Sequence, residues 1–214
     1  AGPIGTNLEN MSKHHRNRNW APAPQLLPED AHVIDNHTHV ASVVPFSQAM
    51  SHEAMEKGQG EVPVYSVDEL LNQAQQVGVE GVIDCGCELP NLMTAIDMAR
   101  EHPQTVHAAI AIHPNEAVLH GHRGAPGPDG LPIKYKPWHD IPFDEAMAEV
   151  HRLATTYPNQ VVAIGETGMD LFRTGESAKE LQREAFRAHI ALAKELNLPM
   201  QIHDRDSHKE VIET

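Results

Sequence analysis

Five apolar segments of strand length recur from residue 31 onward, separated by stretches with helical spacing, and this alternation restricts the fold more than any other feature of the chain. The strand candidates are HVIDNHTHV (32–40), VEGVIDCG (79–86), TVHAAIAIHP (105–114), QVVAIGETG (160–168) and PMQIHDRD (199–206). The helical candidates are SVDELLNQAQQVG (66–78), LPNLMTAIDMAREH (89–102), FDEAMAEVHRLATTY (143–157), SAKELQREAFRAHIALAKELN (177–197) and the start of another at SHKEVIET (207–214). Ser66 and Glu69 have the spacing of a capping box, which marks a helix start. Residues 41–65 read as a loop. In the long helix at 177–197, Leu181, Phe186, Ile190, Ala193 and Leu196 run along one side and are expected to face the core.

Buried-looking strands alternating with helices imply an α/β protein with a parallel sheet covered by helices. The choice lies between an open doubly wound sheet and a closed TIM-type (β/α) barrel. No Gly-x-Gly-x-x-Gly or Walker sequence follows the first strand, which weakens the open nucleotide-binding sheet. Four strand candidates carry ligand-type residues towards their C-terminal ends: His37 and His39, His113, Glu166, and His203 with Arg205. A barrel brings those ends to one mouth, so the barrel is the expected fold. Five units are visible where such a barrel has eight, so the sequence reads as a barrel truncated after about five of them.

Residues 1–30 are polar and proline-bearing and are expected to form an extension without a core of its own, with the barrel occupying 31–214. The HHRNRN cluster within that extension reads as a solvated tail. The 214 residues carry a formal charge of −14, which argues against a broad basic surface for nucleic acid but leaves room for a few local phosphate contacts assisted by bound cations. No apolar run approaches the ~20 residues of a membrane span, and no secretory signal opens the sequence. The only two cysteines, Cys85 and Cys87, are too close to form a disulfide framework, which suits a reducing compartment. A cytoplasmic protein without a membrane contact or an obligate protein partner is the expectation.

Asp35, His37 and His39 alternate, so an extended strand presents all three on one face. Three polar groups there make a poor core but a reasonable start to a metal site, with a solvent-facing histidine pair as the alternative. Joined by Glu166 and His203, the imidazole and carboxylate donors suit zinc, manganese or iron, and a bridging carboxylate permits two metals. Two divalent metal ions could activate a water as nucleophile, so neither a serine nor a cysteine nucleophile is required.

At VIDNHTHV, AIHPNEA, VVAIGETGMDLFR, LQREAFRAHIALAKELNLPMQIHDRD and SHKEVI the chain resembles the TatD-type metal-dependent deoxyribonucleases of the amidohydrolase superfamily, in unbroken order over residues 32–214. The resemblance implies a barrel hydrolase that cleaves phosphodiester bonds in DNA, as an exonuclease, with two divalent ions (Zn, Mg or Mn). It implies that His37 and His39 bind one metal, that Glu166 bridges the pair and is catalytic, and that His203 binds the second. It implies that His113 and Arg205 contact substrate phosphate. Two further family ligands, a His on a later strand and an Asp near the C-terminus, fall in segments absent from these residues, so four ligands of a six-residue site are expected. Ala111 and Asn115 depart from the Gly and His common in the family, which bears on the shape of the mouth. The Gly- and Pro-rich segment 118–142 is longer than a minimal member needs and reads as a surface loop rather than a lid.

Other residues receive plainer readings. Asp35 is expected to support the site or the fold rather than coordinate. His32 and His107 read as packed or exposed, His189 and His208 as solvent-facing, Cys85 and Cys87 as strand packing, and Met98, Met147 and Met169 as core filler. Asp170 either orients a neighbouring His or Arg or lies at the surface, and Arg173 either reaches a phosphate or does not. Phe172 and Trp138 are the candidates for base stacking. Two alternatives to a nuclease remain at this point: an ester or amide hydrolase on the same scaffold, such as an aminoacyl-tRNA deacylase, and an inactive fragment.

Overall fold

A computed structural model of the protein describes residues 32–58, 63–122 and 134–214. The extension expected at 1–30 and the centre of the insert at 123–133 lie outside the described residues. All five strands form where the alternation places them: β1 (Val33–Thr38), β2 (Val79–Gly86), β3 (Val106–Ile110), β4 (Val161–Asp170) and β5 (Met200–Arg205). They make one parallel sheet in the order β1-β2-β3-β4-β5. A doubly wound sheet reverses its strand order at a switch point, and this sheet never does. It curls as the arc of a barrel, far enough that the Gln201 side chain on β5 bonds the Asn36 carbonyl on β1 and accepts from Cys85 Sγ on β2 at 3.0 Å.

Helices α2 (Val67–Gln76), α3 (Leu89–Glu101), α5 (Phe143–Thr156), α6 (Lys179–Leu196) and α7 (His208–Glu213) match the helical segments, and a single turn, α4 (Pro114–Ala117), follows β3. The capping box at α2 is complete: Ser66 Oγ accepts from the Glu69 N–H, and the Glu69 carboxylate accepts from the Ser66 N–H at 2.7 Å. One helix departs from the sequence reading. Residues 40–56, read as part of a loop, form α1 (Val40–Glu56). Its inward line of Val40, Ser47 and Ala54 has heptad spacing, but a serine at its centre and Pro45 inside the helix leave the apolar stripe too weak to read.

The main core lies between the convex face of the sheet and the helices, where Leu92 and Ile96 of α3, Val150 of α5, Ile110 and Ile164 from the sheet and Ile112 just past β3 are fully buried. A smaller cluster of Cys85, Ala109 and Ala163, with Ile83 and Cys87 against it, packs apart from this core. Cys85 thus packs on β2 as expected, and Cys87, just past the strand, packs against the same cluster. The flanks of the 118–142 insert are short 3-10 turns at His120–His122 and Pro137–Asp140. The second turn is pinned to α4, with His139 Nε2 at 2.6 Å and Trp138 Nε1 at 3.3 Å from Glu116 Oε2.

On α6 the buried line is Gln182, Ala185, Phe186, His189, Leu192 and Ala193, rotated slightly from the stripe expected. His189 is therefore fully buried and not solvent-facing: its Nδ1–H donates to the Ala185 carbonyl at 2.8 Å and its Nε2 accepts from the Ile112 N–H at 3.1 Å. Burial holds this imidazole neutral and pushes its pKa down to about 4. The unfolded chain, with a histidine pKa near 6.5, binds the proton more readily. Stability from this group is thus complete above pH 6.5 and falls as pH drops towards about 4, by on the order of 3 kcal/mol. Urea titrations at pH 7 and pH 5 should show a smaller loss for His189→Gln than for wild type, and equal losses would refute the assignment.

Candidate metal centre

Because all five strands are parallel, their C-terminal ends share one rim, and ligand-type side chains collect there. β1 contributes His37 within the strand and His39 just beyond it. β4 contributes Glu166, β5 contributes His203, and the turn from β3 into α4 contributes His113. Glu166 is the hub. Its Oε2 lies 3.4 Å from His37 Nε2 and 3.7 Å from His39 Nε2, and its Oε1 lies 2.6 Å from His203 Nδ1 and 3.8 Å from His113 Nε2. Two groups of possible ligands result, His37–His39–Glu166 and His113–Glu166–His203, each with its donor atoms within 4.8 Å of one another. The two groups share only the carboxylate. All of the residues proposed from sequence as ligands are thus brought together, and His113 joins them.

The electrostatics follow from this crowding. Burial would raise the Glu166 carboxyl, but the hydrogen bond from His203 and the surrounding imidazoles overcome it and hold the group ionised, at about 2. Burial likewise opposes a charge on His203, yet both of its ring nitrogens face carboxylates, Nδ1 to Glu166 and Nε2 to Asp170 Oδ2 at 3.0 Å, which raises it to about 9. Asp170 stays ionised against its burial through that bond and through the N–H groups of Phe172 and Arg173 and the Asn115 amide. His113 differs. Burial first, and then the positive His203 beside it, push it down to about 4. Its Nδ1 accepts from the Asn115 N–H at 3.2 Å, so its proton sits on Nε2, facing Glu166.

Asp170 thus takes the orienting role open to it and not the surface one. Gln182 fixes it in place, accepting from the Asp170 N–H at 2.6 Å and donating to its carbonyl at 2.9 Å. Arg205 lies on the rim, its guanidinium 4.0 Å from the Phe172 ring centre, with no carboxylate partner among the described residues. Asp35 is exposed, and its carboxylate accepts from the His37 N–H of its own strand at 3.2 Å. His208 is exposed, as expected, and pairs with Asp204 at 2.7 Å. Sequence reasoning missed one neighbour of the cluster, Cys87, whose Sγ lies 3.8 Å from Glu166 Oε2. Seventy-nine residues separate the two, and no spacing rule links them.

An arc of parallel strands with a His–Glu cluster at the C-terminal rim is part of a (β/α) barrel with a candidate metal centre, and solved structures share that fold. An uncharacterized amidohydrolase from Saccharomyces cerevisiae superposes with a TM-score of 0.59 at 18% identity, over 85% of this chain and 50% of that one. A TatD family hydrolase from Entamoeba histolytica does so with a TM-score of 0.57 at 20% identity, over 85% and 52%. The family model described as TatD related DNase matches residues 34–214, and the chain belongs to that family. YabD of Bacillus subtilis, named an uncharacterized metal-dependent hydrolase, is 32% identical over 68% of this chain and 47% of its own length. TatD of Erwinia tasmaniensis, named a 3′-5′ ssDNA/RNA exonuclease, is 32% identical over 68% and 46%. The chain spans about half the length of the curated relatives it matches. Among the described residues, no helix is long and apolar enough to cross a membrane.

Proposed function

We propose that residues 31–214 belong to a metal-dependent hydrolase that cleaves phosphodiester bonds in DNA, working as an exonuclease from the 3′ end of single strands. What carries this reading is Glu166, whose two carboxylate oxygens face two separate sets of imidazoles. The donor set fits two divalent cations, Zn, Mg or Mn, with His37 and His39 holding one, His203 the other and Glu166 shared. Bound there, the cations supply Lewis acidity to a phosphoryl oxygen and to an attacking water.

The chain's own residues do the rest. Glu166 is ionised throughout the neutral range and needs no deprotonation. Asp170 fixes the ring of His203, as a carboxylate behind a ligating histidine does. His113 presents an N–H at Nε2, which makes it a donor to a phosphate oxygen in preference to a ligand. Arg205, held over the Phe172 ring, offers its fork to a second phosphate oxygen, and the exposed Phe172 ring is a candidate surface for a base. The free thiols of Cys85 and Cys87 suit a cytoplasmic setting.

The test is single-stranded DNA labelled at its 5′ end, incubated with the full protein and each cation in turn, beside an aminoacyl ester. Shortening from the 3′ end supports the nuclease. Ester turnover with intact DNA would replace it with the alternative hydrolase. Metal loading should also depend on pH. Without a cation His203 carries a proton up to about pH 9, and a cation takes the neutral ring. Cation affinity should therefore rise roughly tenfold per pH unit towards pH 9, with proton release measurable by calorimetry in buffers of different ionisation heat. A flat affinity between pH 6 and pH 8 would contradict this.

A further inference from the structure

The geometry assigns Asp84 of β2 a positioning role: its buried carboxylate caps α1 from the neighbouring strand and so releases the side chain of His39 to face Glu166. This rests on the metal reading above. His39 is the N-cap residue of α1, a place where a side chain ordinarily turns back to accept from the first-turn N–H groups. Here it makes no such bond, and its Nε2 points to Glu166 at 3.7 Å. The first turn of α1 also contains no acidic residue.

Asp84 supplies what is missing. Its Oδ1 accepts from the Val40 N–H, and the Ala41 N–H faces it as well. The Thr38 hydroxyl, on the residue between His37 and His39, lies 3.3 Å from the same oxygen and 3.0 Å from the Ile83 carbonyl. One carboxylate oxygen therefore holds both neighbours of His39, Val40 through its backbone N–H and Thr38 through its hydroxyl. Val40 and Ala41 pack against the main core on one side of the junction, and on the other it meets a cavity of about 320 Å³ lined by His39, Ser42, Pro45, Cys87 and Asn91 among others.

The cost of the arrangement points the same way. Asp84 is 1% exposed, and its second oxygen, Oδ2, has no hydrogen-bond partner among the described residues. A half-satisfied buried carboxylate is an expensive way to cap a helix, since a serine or asparagine at position 39 would do so locally. Position 39 is occupied by a histidine aimed elsewhere, which explains why the cap comes from β2.

The experiment is a cobalt(II) titration of the full protein, followed by visible absorption, with wild type, Asp84→Ala, Asp84→Val, Asp84→Asn and His39→Ala, beside thermal unfolding of each without metal. Two binding steps are expected for wild type. Asp84→Ala should weaken one step by about 10- to 100-fold, the scale for removing a group that orients a ligand, and it should be the step that His39→Ala removes. Asp84→Val refills the space without an acceptor and should show the same selective loss if the alanine variant does not fold. Asp84→Asn keeps the acceptor and should restore near-wild-type binding. Both steps unchanged, both weakened alike, or an asparagine variant as weak as alanine would each overturn the assignment. If wild type takes up no cobalt, the metal reading falls and this inference with it.

Discussion

Glu166→Gln is expected to lower metal-dependent cleavage of single-stranded DNA by about 10³-fold, the scale of losing a preorganised charge-stabilising group, and to reduce cation content at both positions together. The substitution keeps the size of the side chain and one acceptor oxygen, so the hydrogen bond to His203 can persist. What it removes is the negative charge that both groups of imidazoles share. Loss of a residue serving one cation would leave the other in place. Loss of Glu166 should not. Initial rates and metal content by elemental analysis decide this together, and a variant with two cations and activity within tenfold of wild type would sink the assignment of Glu166 as the hub.

The second large effect is on stability. Gly168 lies in β4 between Glu166 and Asp170 with φ of +137°, a conformation that L side chains rarely adopt. It also pairs with His203 of β5, and a Cβ built there would run into the backbone of that residue. Gly168→Ala combines the two penalties, strained backbone and overpacking, and is expected to cost about 3 kcal/mol or more. It should further separate Glu166 from His203, because the strand pair that carries them must part. Urea denaturation measures the first effect and cation affinity the second. A destabilisation below about 1 kcal/mol would mean that β5 shifts freely, against the register described here.

The alternation of strands and helices was legible because each unit carries its own local signals. Ser66 and Glu69 cap α2 in the sequence as they do in space, and the apolar run of β4 is buried along most of its length and that of β2 towards its C-terminal end. The proposed ligands His37, His39, Glu166 and His203 were legible through family resemblance together with their placement at strand ends. Failures came where a polar residue holds an interior position. Ser47 hid the inward line of α1, and Gln182 and His189 blurred that of α6, because an amide or an imidazole reads as outward-facing until its partners are known. Those partners, the Asp170 backbone and the Ile112 N–H, lie on other elements of the fold. Asp84 and Cys87 were obscure for the same reason: what each touches lies some 40 or more residues away along the chain.

The strand order also has a consequence for synthesis. Each strand pairs with the one made just before it, so the sheet can grow by successive addition as the polypeptide emerges, without waiting for a distant partner. The histidines of β1 are translated first, Glu166 much later, and His203 on the last strand described. A ribosome-bound chain therefore cannot bring these four proposed donors together until β5 docks, and uptake of a cation by nascent chains of increasing length would time that docking event directly.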